Sequence, residues 1–339
     1  MSLSRAVDVA VSGGEVPAEL LSEAFREICA GKADELQIAA LLVALRTRGE
    51  TVGEMVAVAR ALREAADTAP CLDPRTVDTC GTGGDGAGTF NISTTAAFVV
   101  AGAGVPVAKH GNRAASSRTG SIDVLEALGV SVDLPVADSA RVLERVGIAP
   151  FFARRAHPAM RHVAPVRQAL GIRTLMNAMG PLLNPLGVKT QIVGVYAREL
   201  VEPLAEALGA LGTERALVVH GDDGLDEITV TASTHAARLH EGRVESLEID
   251  PVAHGLTLAA PEALLGGDAD HNARLLREIL EGQQGPPRDV VLLNAAAVLW
   301  VGGEARDLDE GLEIARSSID SGEARARLDA LVAAGAEAA

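Results

Sequence analysis

Four clusters in the 339-residue chain combine side chains able to handle an anion or a metal. The first runs Asp78-Thr79-Cys80-Gly81-Thr82-Gly83-Gly84-Asp85-Gly86 and continues as Thr89-Phe90-Asn91-Ile92-Ser93-Thr94. Glycines let backbone N–H groups approach phosphate oxygens, and a helix N-terminus adds partial positive charge. Asn91, Ser93 and Thr94 offer side-chain donors and N-caps. The spacing is neither a dinucleotide fingerprint nor a P-loop, since no Gly-Lys-Ser/Thr follows; a glycine-rich turn closing a strand–helix unit would look the same. The second cluster is Lys109-His110-Gly111-Asn112-Arg113, with Ser116 and Ser117 beyond. Lysine and arginine neutralise phosphates and serines donate hydrogen bonds, although a lone loop histidine is usually structural. The third, His220-Gly221-Asp222-Asp223-Gly224-Leu225-Asp226-Glu227, supplies carboxylates for Mg²⁺, a hard cation that bridges carboxylates and phosphates. It reads equally well as a solvated acidic turn. The fourth is His157-Pro158-Ala159-Met160-Arg161 followed by Arg167, about two helical turns after Met160. An arginine there either clamps a carboxylate through two parallel hydrogen bonds or is an ordinary surface arginine.

The elements that must position these clusters change character along the chain. Residues 1 to about 68 read as helices only, with apolar stripes in Val16–Ile28, Ala33–Leu45 and Val52–Ala65. Asp34 and Thr51 suit N-caps, and Gly31 and Gly49 suit helix stops. After Pro70 and Pro74, β-type runs alternate with helical ones: Thr76–Cys80, a helix from about Ser93, Val105–Ala108, a helix at Ile122–Leu128, Val130–Leu134, a helix from Ala137. Later come Gln191–Tyr196, a helix from Glu199, Arg215–His220, and a strand pair turning at Glu241-Gly242. The tail from Asp289 is helical and apolar. Alternation of this kind predicts an α/β protein, with a small all-helical domain and a large α/β domain whose central sheet is mostly parallel. The stretch 158–182 interrupts the rhythm with helical pattern and so predicts a discontinuous small domain: 1–70 plus about 158–185, against 73–157 plus about 186–339 for the large one.

Composition narrows the function classes. With 30 Lys+Arg against 46 Asp+Glu the net charge is −16, which opposes general nucleic-acid binding. Aromatic residues at 2% leave little for stacking on bases. No apolar run follows Met1-Ser2-Leu3-Ser4-Arg5 and no long apolar stretch occurs, so neither a signal peptide nor a membrane helix is expected. Cys29, Cys71 and Cys80 lack metal-type spacing and read as reduced thiols of a cytoplasmic protein. The charge is also unevenly spread. No acidic residue lies between Asp85 and Asp123 or between Glu144 and Glu199; those windows carry +11, leaving −27 on the rest. The windows contain Lys109, Arg167 and Arg173 and predict either an electropositive cleft for an anion or basic helix faces paired with an acidic body.

In combination, Gly81-Thr82-Gly83-Gly84-Asp85, Thr89-Phe90-Asn91-Ile92-Ser93-Thr94 and Lys109-His110-Gly111-Asn112-Arg113 resemble the anthranilate phosphoribosyltransferases. So do His157-Pro158-Ala159-Met160, Val166-Arg167, Arg173-Thr174, Gly180-Pro181-Leu182 with Asn184-Pro185, and Val219-His220-Gly221 with Leu225-Asp226-Glu227. The likeness extends over nearly the whole chain and implies the fold shared by nucleoside phosphorylases and these transferases. It implies transfer of the phosphoribosyl group of 5-phosphoribosyl-1-pyrophosphate (PRPP) to the amine of anthranilate in tryptophan synthesis. It also implies Mg²⁺, a homodimer joined through the helical domain, and a hinge between domains. Carried onto this chain, Gly81, Gly84, Asp85, Thr89, Asn91, Ser93, Thr94, Lys109 and Ser117 bind PRPP. Gly81, Asn112, His110, His157 and Arg167 line the anthranilate path, and Ser93, Asp226 and Glu227 bind metal. The chain departs from the family at Phe151-Phe152-Ala153-Arg154-Arg155-Ala156, where two arginines add charge near the implied anthranilate entrance, and at Cys80, where an aliphatic residue is commoner.

The chemistry fits this resemblance. An aryl amine is neutral at pH 7 and attacks without a strong base, while the departing pyrophosphate needs its charge offset. No covalent nucleophile is required, and orientation of two substrates supplies much of the rate. Two other readings use the same features: a pyrimidine nucleoside phosphorylase, whose own signature loop is missing here, and a nucleic-acid-binding relative, which would have lost the clamp formed by Arg167, Asp226 and Glu227.

Overall fold

The computed structural model describes residues 2–114 and 118–338. The N-terminal helices are α1 (Ser2–Val11), α2 (Ala18–Cys29), α3 (Glu35–Arg48) and α4 (Val52–Glu64). Asp34 caps α3 by accepting from Leu36 N–H, and Thr51 forms a reciprocal capping box with Glu54 on α4, as their residue types require. Then follow β1 (Val77–Thr79), α5 (Ile92–Gly102), β2 (Val107–Gly111), α6 (Ser121–Ala127), α7 (Val136–Val146), β3 (Ile148–Phe152), α8 (Ala153–Ala156), α9 (Ala164–Leu170) and α10 (Leu175–Ala178). The chain continues through β4 (Thr190–Gly194), α11 (Val201–Ala210), β5 (Arg215–Gly221), β6 (Thr234–His240), β7 (Arg243–Ile249), α12 (Ala269–Leu280), α13 (Pro286–Gly302), α14 (Leu308–Asp320) and α15 (Glu323–Ala338).

The described strands form one seven-stranded sheet in the order β3-β2-β1-β4-β5-β6-β7. Pairing is parallel from β3 to β5 and antiparallel across β5-β6-β7. Glu241 and Gly242, at φ 50° and 73°, make the tight turn between β6 and β7. Strand order reverses beside β1, whose neighbours are β2 and β4, so the C-terminal ends of β1 and β4 flank a topological switch point where open α/β sheets bind ligands. The glycine run leaves β1 at that point.

One expected strand is absent. Residues 130–134 form no strand; Val130 and Val132 are buried in an extended connection. The place beside β2 belongs instead to β3, all five residues of which are buried. Its sequence escaped notice because it follows Gly147 directly and runs straight into α8, without turn residues on its far side.

Two apolar cores sandwich the sheet. One packs α5, α13 and α15 against it, with α12 and α14 layered on those helices. The other is continuous from the helical bundle (Phe25, Leu42, Val58) through α11 (Leu204, Leu208) to the strands β4, β5 and β6 (Val193, Val218, Ala237). Val163, Val166, Met176, Met179 and Leu182 join this second core, and their segment packs on α2, α3 and α4. Among the described residues, no helix is long and apolar enough to cross a membrane.

Candidate functional site

The glycine run is tied down along its length. Thr82 N–H donates to the Gly194 carbonyl at the end of β4 (2.8 Å), and Tyr196 N–H donates to Thr82 Oγ1 (3.1 Å). Gly83, Gly84, Gly86 and Gly88 all have φ between 64° and 82°, a region L side chains seldom enter, so the run can be this dense only in glycine. Arg173, from the loop after α9, donates to the Gly84 carbonyl, and its guanidinium stacks 4.4 Å from the Tyr196 ring centroid. Farther on, Phe90 N–H donates to Leu264 O and Gly266 N–H to Gly88 O. Asn91 stands at the N-cap of α5 but does not cap it. Its Oδ1 accepts from Asn272 of α12 (3.0 Å) and its Nδ2 donates to the Thr119 carbonyl (3.2 Å).

Behind the loop lie the charged groups. Lys109 on β2 is buried, and its ammonium donates to the Thr79 carbonyl (2.5 Å). Glu227 accepts from Ser93 N–H (3.1 Å), and Asp226 accepts from Gly83 N–H (2.7 Å). Burial pushes Glu227 up to about 7, against the pull of Lys109 and Ser93. Burial, then the charges of Glu227 and Asp85, holds Asp226 well above the ordinary carboxylate range. Asp85 is within hydrogen-bonding reach of Asp226 and also accepts from Ala87 N–H. Three carboxylates thus crowd together with one buried ammonium nearby, and every donor they offer a cation is a hard oxygen. That set suits Mg²⁺, whose charge would relieve the repulsion that raises both acids. The rest of the acidic turn serves the fold: Asp222 pairs with Arg198, and Asp223 accepts from Thr229, Thr231 and Leu225 N–H.

The opposite side is built around Asp78, fully buried on β1 and pushed up to about 6 by that burial. Its oxygens accept from His110 N–H (3.1 Å) and Asn184 Nδ2 (2.9 Å), while Asn184 also donates to the Ala108 carbonyl. Ligand atoms of Asp78, Cys80 and His110 lie within 4.8 Å of one another, but those two hydrogen bonds already give Asp78 a structural role. His110 and His157 meet edge-to-face, with ring centroids 5.3 Å apart. His110 Nδ1 faces the Gly180 carbonyl (3.2 Å) and His157 Nε2 the Leu183 carbonyl (2.9 Å), so those nitrogens must carry the protons. Burial lowers the two rings to about 3 and about 4, leaving both neutral at pH 7. His110 Nε2 and His157 Nδ1 are consequently buried lone pairs without a described donor. Arg167 is partly buried, its pKa lowered by desolvation, and its guanidinium has no hydrogen bond or ion pair to any described residue. A half-desolvated cation with nothing to bind is suited to an incoming anion.

Other expected residues are placed differently. Thr94 is buried and Thr89 bridges to Leu265. Asn112 is exposed, and its Oδ1 accepts from Arg113 N–H. Ser116 and Ser117 lie outside the described residues. The acid-free windows do not form one basic wall. Arg113 pairs with Asp123 and Glu126, Arg155 with Asp133 and Arg198 with Asp222, whereas Lys109 and Arg173 donate to the Thr79 and Gly84 carbonyls. Arg155 makes two hydrogen bonds to the Asp133 carboxylate, at 2.6 and 2.9 Å. Sequence reasoning overlooked Gly194, Asn272 and Asn294. At Gly194 a Cβ would lie 1.5 Å from the Asp226 carbonyl oxygen, so only glycine lets the acidic segment pass.

Comparison with known proteins agrees with this geometry. Residues 73–325 match the α/β domain of a glycosyl transferase family, and residues 7–66 match that family's helical bundle domain. The chain is 53% identical over 311 residues to the anthranilate phosphoribosyltransferase of Azorhizobium caulinodans, covering 92% of this chain and 90% of that one. The crystal structure of anthranilate phosphoribosyltransferase from Thermus thermophilus superposes with a TM-score of 0.92 at 45% identity, over 97% of this chain and 98% of that one. The Saccharomyces cerevisiae enzyme, solved with PRPP and Mg, gives 0.90 at 27% identity over 99% and 98%. The chain belongs to the anthranilate phosphoribosyltransferase family of enzymes.

Proposed function

We infer that this chain transfers the 5-phosphoribosyl group of PRPP to the amine of anthranilate, releasing pyrophosphate and giving N-(5-phosphoribosyl)anthranilate for tryptophan synthesis. The observation that carries this reading is the meeting, at the switch point, of the glycine loop with buried Lys109 and the Asp85, Asp226 and Glu227 carboxylates; Arg167 on α9, which has no partner among the described residues, supports it. Kinship with a yeast enzyme solved with PRPP and Mg supports it.

In this reading Gly81, Gly84, Asp85, Thr89, Asn91, Ser93, Thr94, Lys109 and Ser117 hold PRPP, and Ser93, Asp226 and Glu227 hold Mg²⁺. When bound, the ion offsets charge on the departing pyrophosphate. Lys109, locked to Thr79, adds fixed positive charge to the same end of the substrate. Arg167 takes the anthranilate carboxylate, and Gly81, Asn112, His110 and His157 complete that subsite. His110 and His157 stay buried and neutral there, so they shape the subsite without adding charge to it.

The two-piece helical domain, 1–70 plus about 158–185, would sit on the anthranilate side and join a homodimer. Supporting that contact, Leu36 and Val43 stand exposed seven residues apart on α3, and Val11 ends α1 70% exposed. We assign the protein to the cytoplasm, with its cysteines as thiols, and expect neither nucleic acid nor membrane among its partners. The test is the loss of anthranilate fluorescence with pure protein. Loss that requires both PRPP and Mg²⁺ supports the reading; a folded protein that consumes no anthranilate refutes it.

A further inference from the structure

Asn294 lies about two turns into α13, 3% exposed, among Leu292, Leu293 and Ala295 to Ala297. Its amide meets both backbone groups of Ile228. Ile228 N–H donates to Oδ1 (3.1 Å), Nδ2 donates to the Ile228 carbonyl (2.7 Å), and the second amide hydrogen goes to the Val290 carbonyl (2.8 Å). Residues 225–229 belong to no strand or helix, and Ile228 is fully buried, so its polar groups have no ladder to satisfy them. The asparagine offers an acceptor and a donor side by side and takes the place of a neighbouring strand.

The residues just before this clamp are Asp226 and Glu227. On their other flank the Asp226 carbonyl rests against Gly194 with no room for a Cβ. The two acids, mutually repelling and close to Asp85, are thus held between a fixed contact and a fixed pair of hydrogen bonds. Asn294 and Glu227 also line one small cavity with Ser93, Cys80 and Gly81.

We propose that Asn294 is a positioning residue that sets metal affinity: by gripping Ile228 it holds Asp226 and Glu227 at the spacing a divalent cation requires. The inference rests on the reading of the site given above. Its test is Mn²⁺ binding to the intact protein with PRPP and without anthranilate, read as loss of the free-ion EPR signal. Asn294→Ala removes the clamp, and Asn294→Asp keeps its shape while losing both donors. Each should raise the Mn²⁺ Kd about tenfold or more, the usual effect of removing a group that orients metal ligands. Leu292→Ala, a cavity in the same helix, should leave the Kd within about twofold. An unchanged Kd in folded Asn294→Asp overturns the proposal even if the alanine variant does not fold, and so does an equal loss in Leu292→Ala. Failure of the unaltered protein to consume anthranilate in the fluorescence assay would instead overturn the underlying reading, and this proposal with it.

Discussion

Replacing Gly194 by alanine adds one methyl group far along the chain from the acids it would disturb, and the size of the effect follows from the packing. The new Cβ would start 1.5 Å from the Asp226 carbonyl oxygen, where contacts shorter than 3.0 Å essentially do not occur. A retreat of about 1.5 Å is therefore forced. β4 cannot yield easily, being paired on both sides and fully buried. The segment 225–229, outside any strand, must move, and Asp226 and Glu227 move with it. Misplacement of reacting groups by about 1 Å can cost about 100-fold in rate, so kcat/KM should fall by about 100-fold or more, equivalent to about 2.7 kcal/mol of barrier. Gly104→Ala serves as the comparison. Gly104 has φ 90° and open space around it, so that change brings backbone strain of about 1 kcal/mol and leaves the kinetics intact. Initial rates of anthranilate loss, with circular dichroism and thermal melts as fold controls, decide the matter. Folded Gly194→Ala with kcat/KM within about threefold of the parent would refute the claim that this contact positions the acids.

Four further outcomes are expected. Arg167→Ala should raise the anthranilate KM about tenfold or more, the worth of a charged hydrogen bond, while the PRPP KM changes far less; equal effects would remove Arg167 from the carboxylate. Asp226→Asn combined with Glu227→Gln should raise the Mg²⁺ concentration for half-maximal rate at least about tenfold, and an unchanged Mg²⁺ profile would clear the pair of a metal role. The rings of His110 and His157 should stay neutral from about pH 8 to about pH 5, as Nδ1–H and Nε2–H tautomers respectively, which ¹⁵N chemical shifts report directly. Their folded values lie below the ordinary imidazole value, so the unfolded chain takes up these protons first. The stability they contribute is complete above about pH 6.5 and is lost as pH falls toward the folded values; a midpoint near pH 6.5 in the folded protein would contradict this. Leu36→Glu with Val43→Glu should convert a dimer to a monomer by light scattering, and an unchanged mass would move the interface elsewhere.

The legible part of the site is the part written in contiguous residues. Gly81 to Asp85, Lys109 and the Asp226-Glu227 pair stand out because each run combines residue types that one task needs. The capping roles of Asp34 and Thr51 were readable for the same local reason. What stayed hidden depends on residues distant in sequence. Gly194 is one glycine among 35 until Asp226 is seen lying against it. Asn294 sits in a leucine- and alanine-rich helix, where nothing nearby marks it as the partner of Ile228. Asn91 looked like a cap because of its position, yet tertiary partners Asn272 and Thr119 outcompeted the helix for its amide. Likewise, the charge windows could not show that Arg113 and Arg155 would fold back onto carboxylates on the surface. Residues 130–134 had strand-like alternation and no free ladder to join, because β3 already occupies the edge of β2.

The second apolar core has a consequence for how the molecule comes apart. Since Phe25 and Val58 of the helical bundle share it with Leu204 of α11 and Val193 of β4, pulling the bundle away would bare apolar surface on both sides at once. Relative motion of the two layers that keeps this contact covered, with helices sliding on it, costs less than motion that bares it. The same continuity makes unfolding a joint event: the bundle and the sheet should melt in one calorimetric transition, and a fragment ending near residue 66 should lack the partner surface it needs to hold its shape.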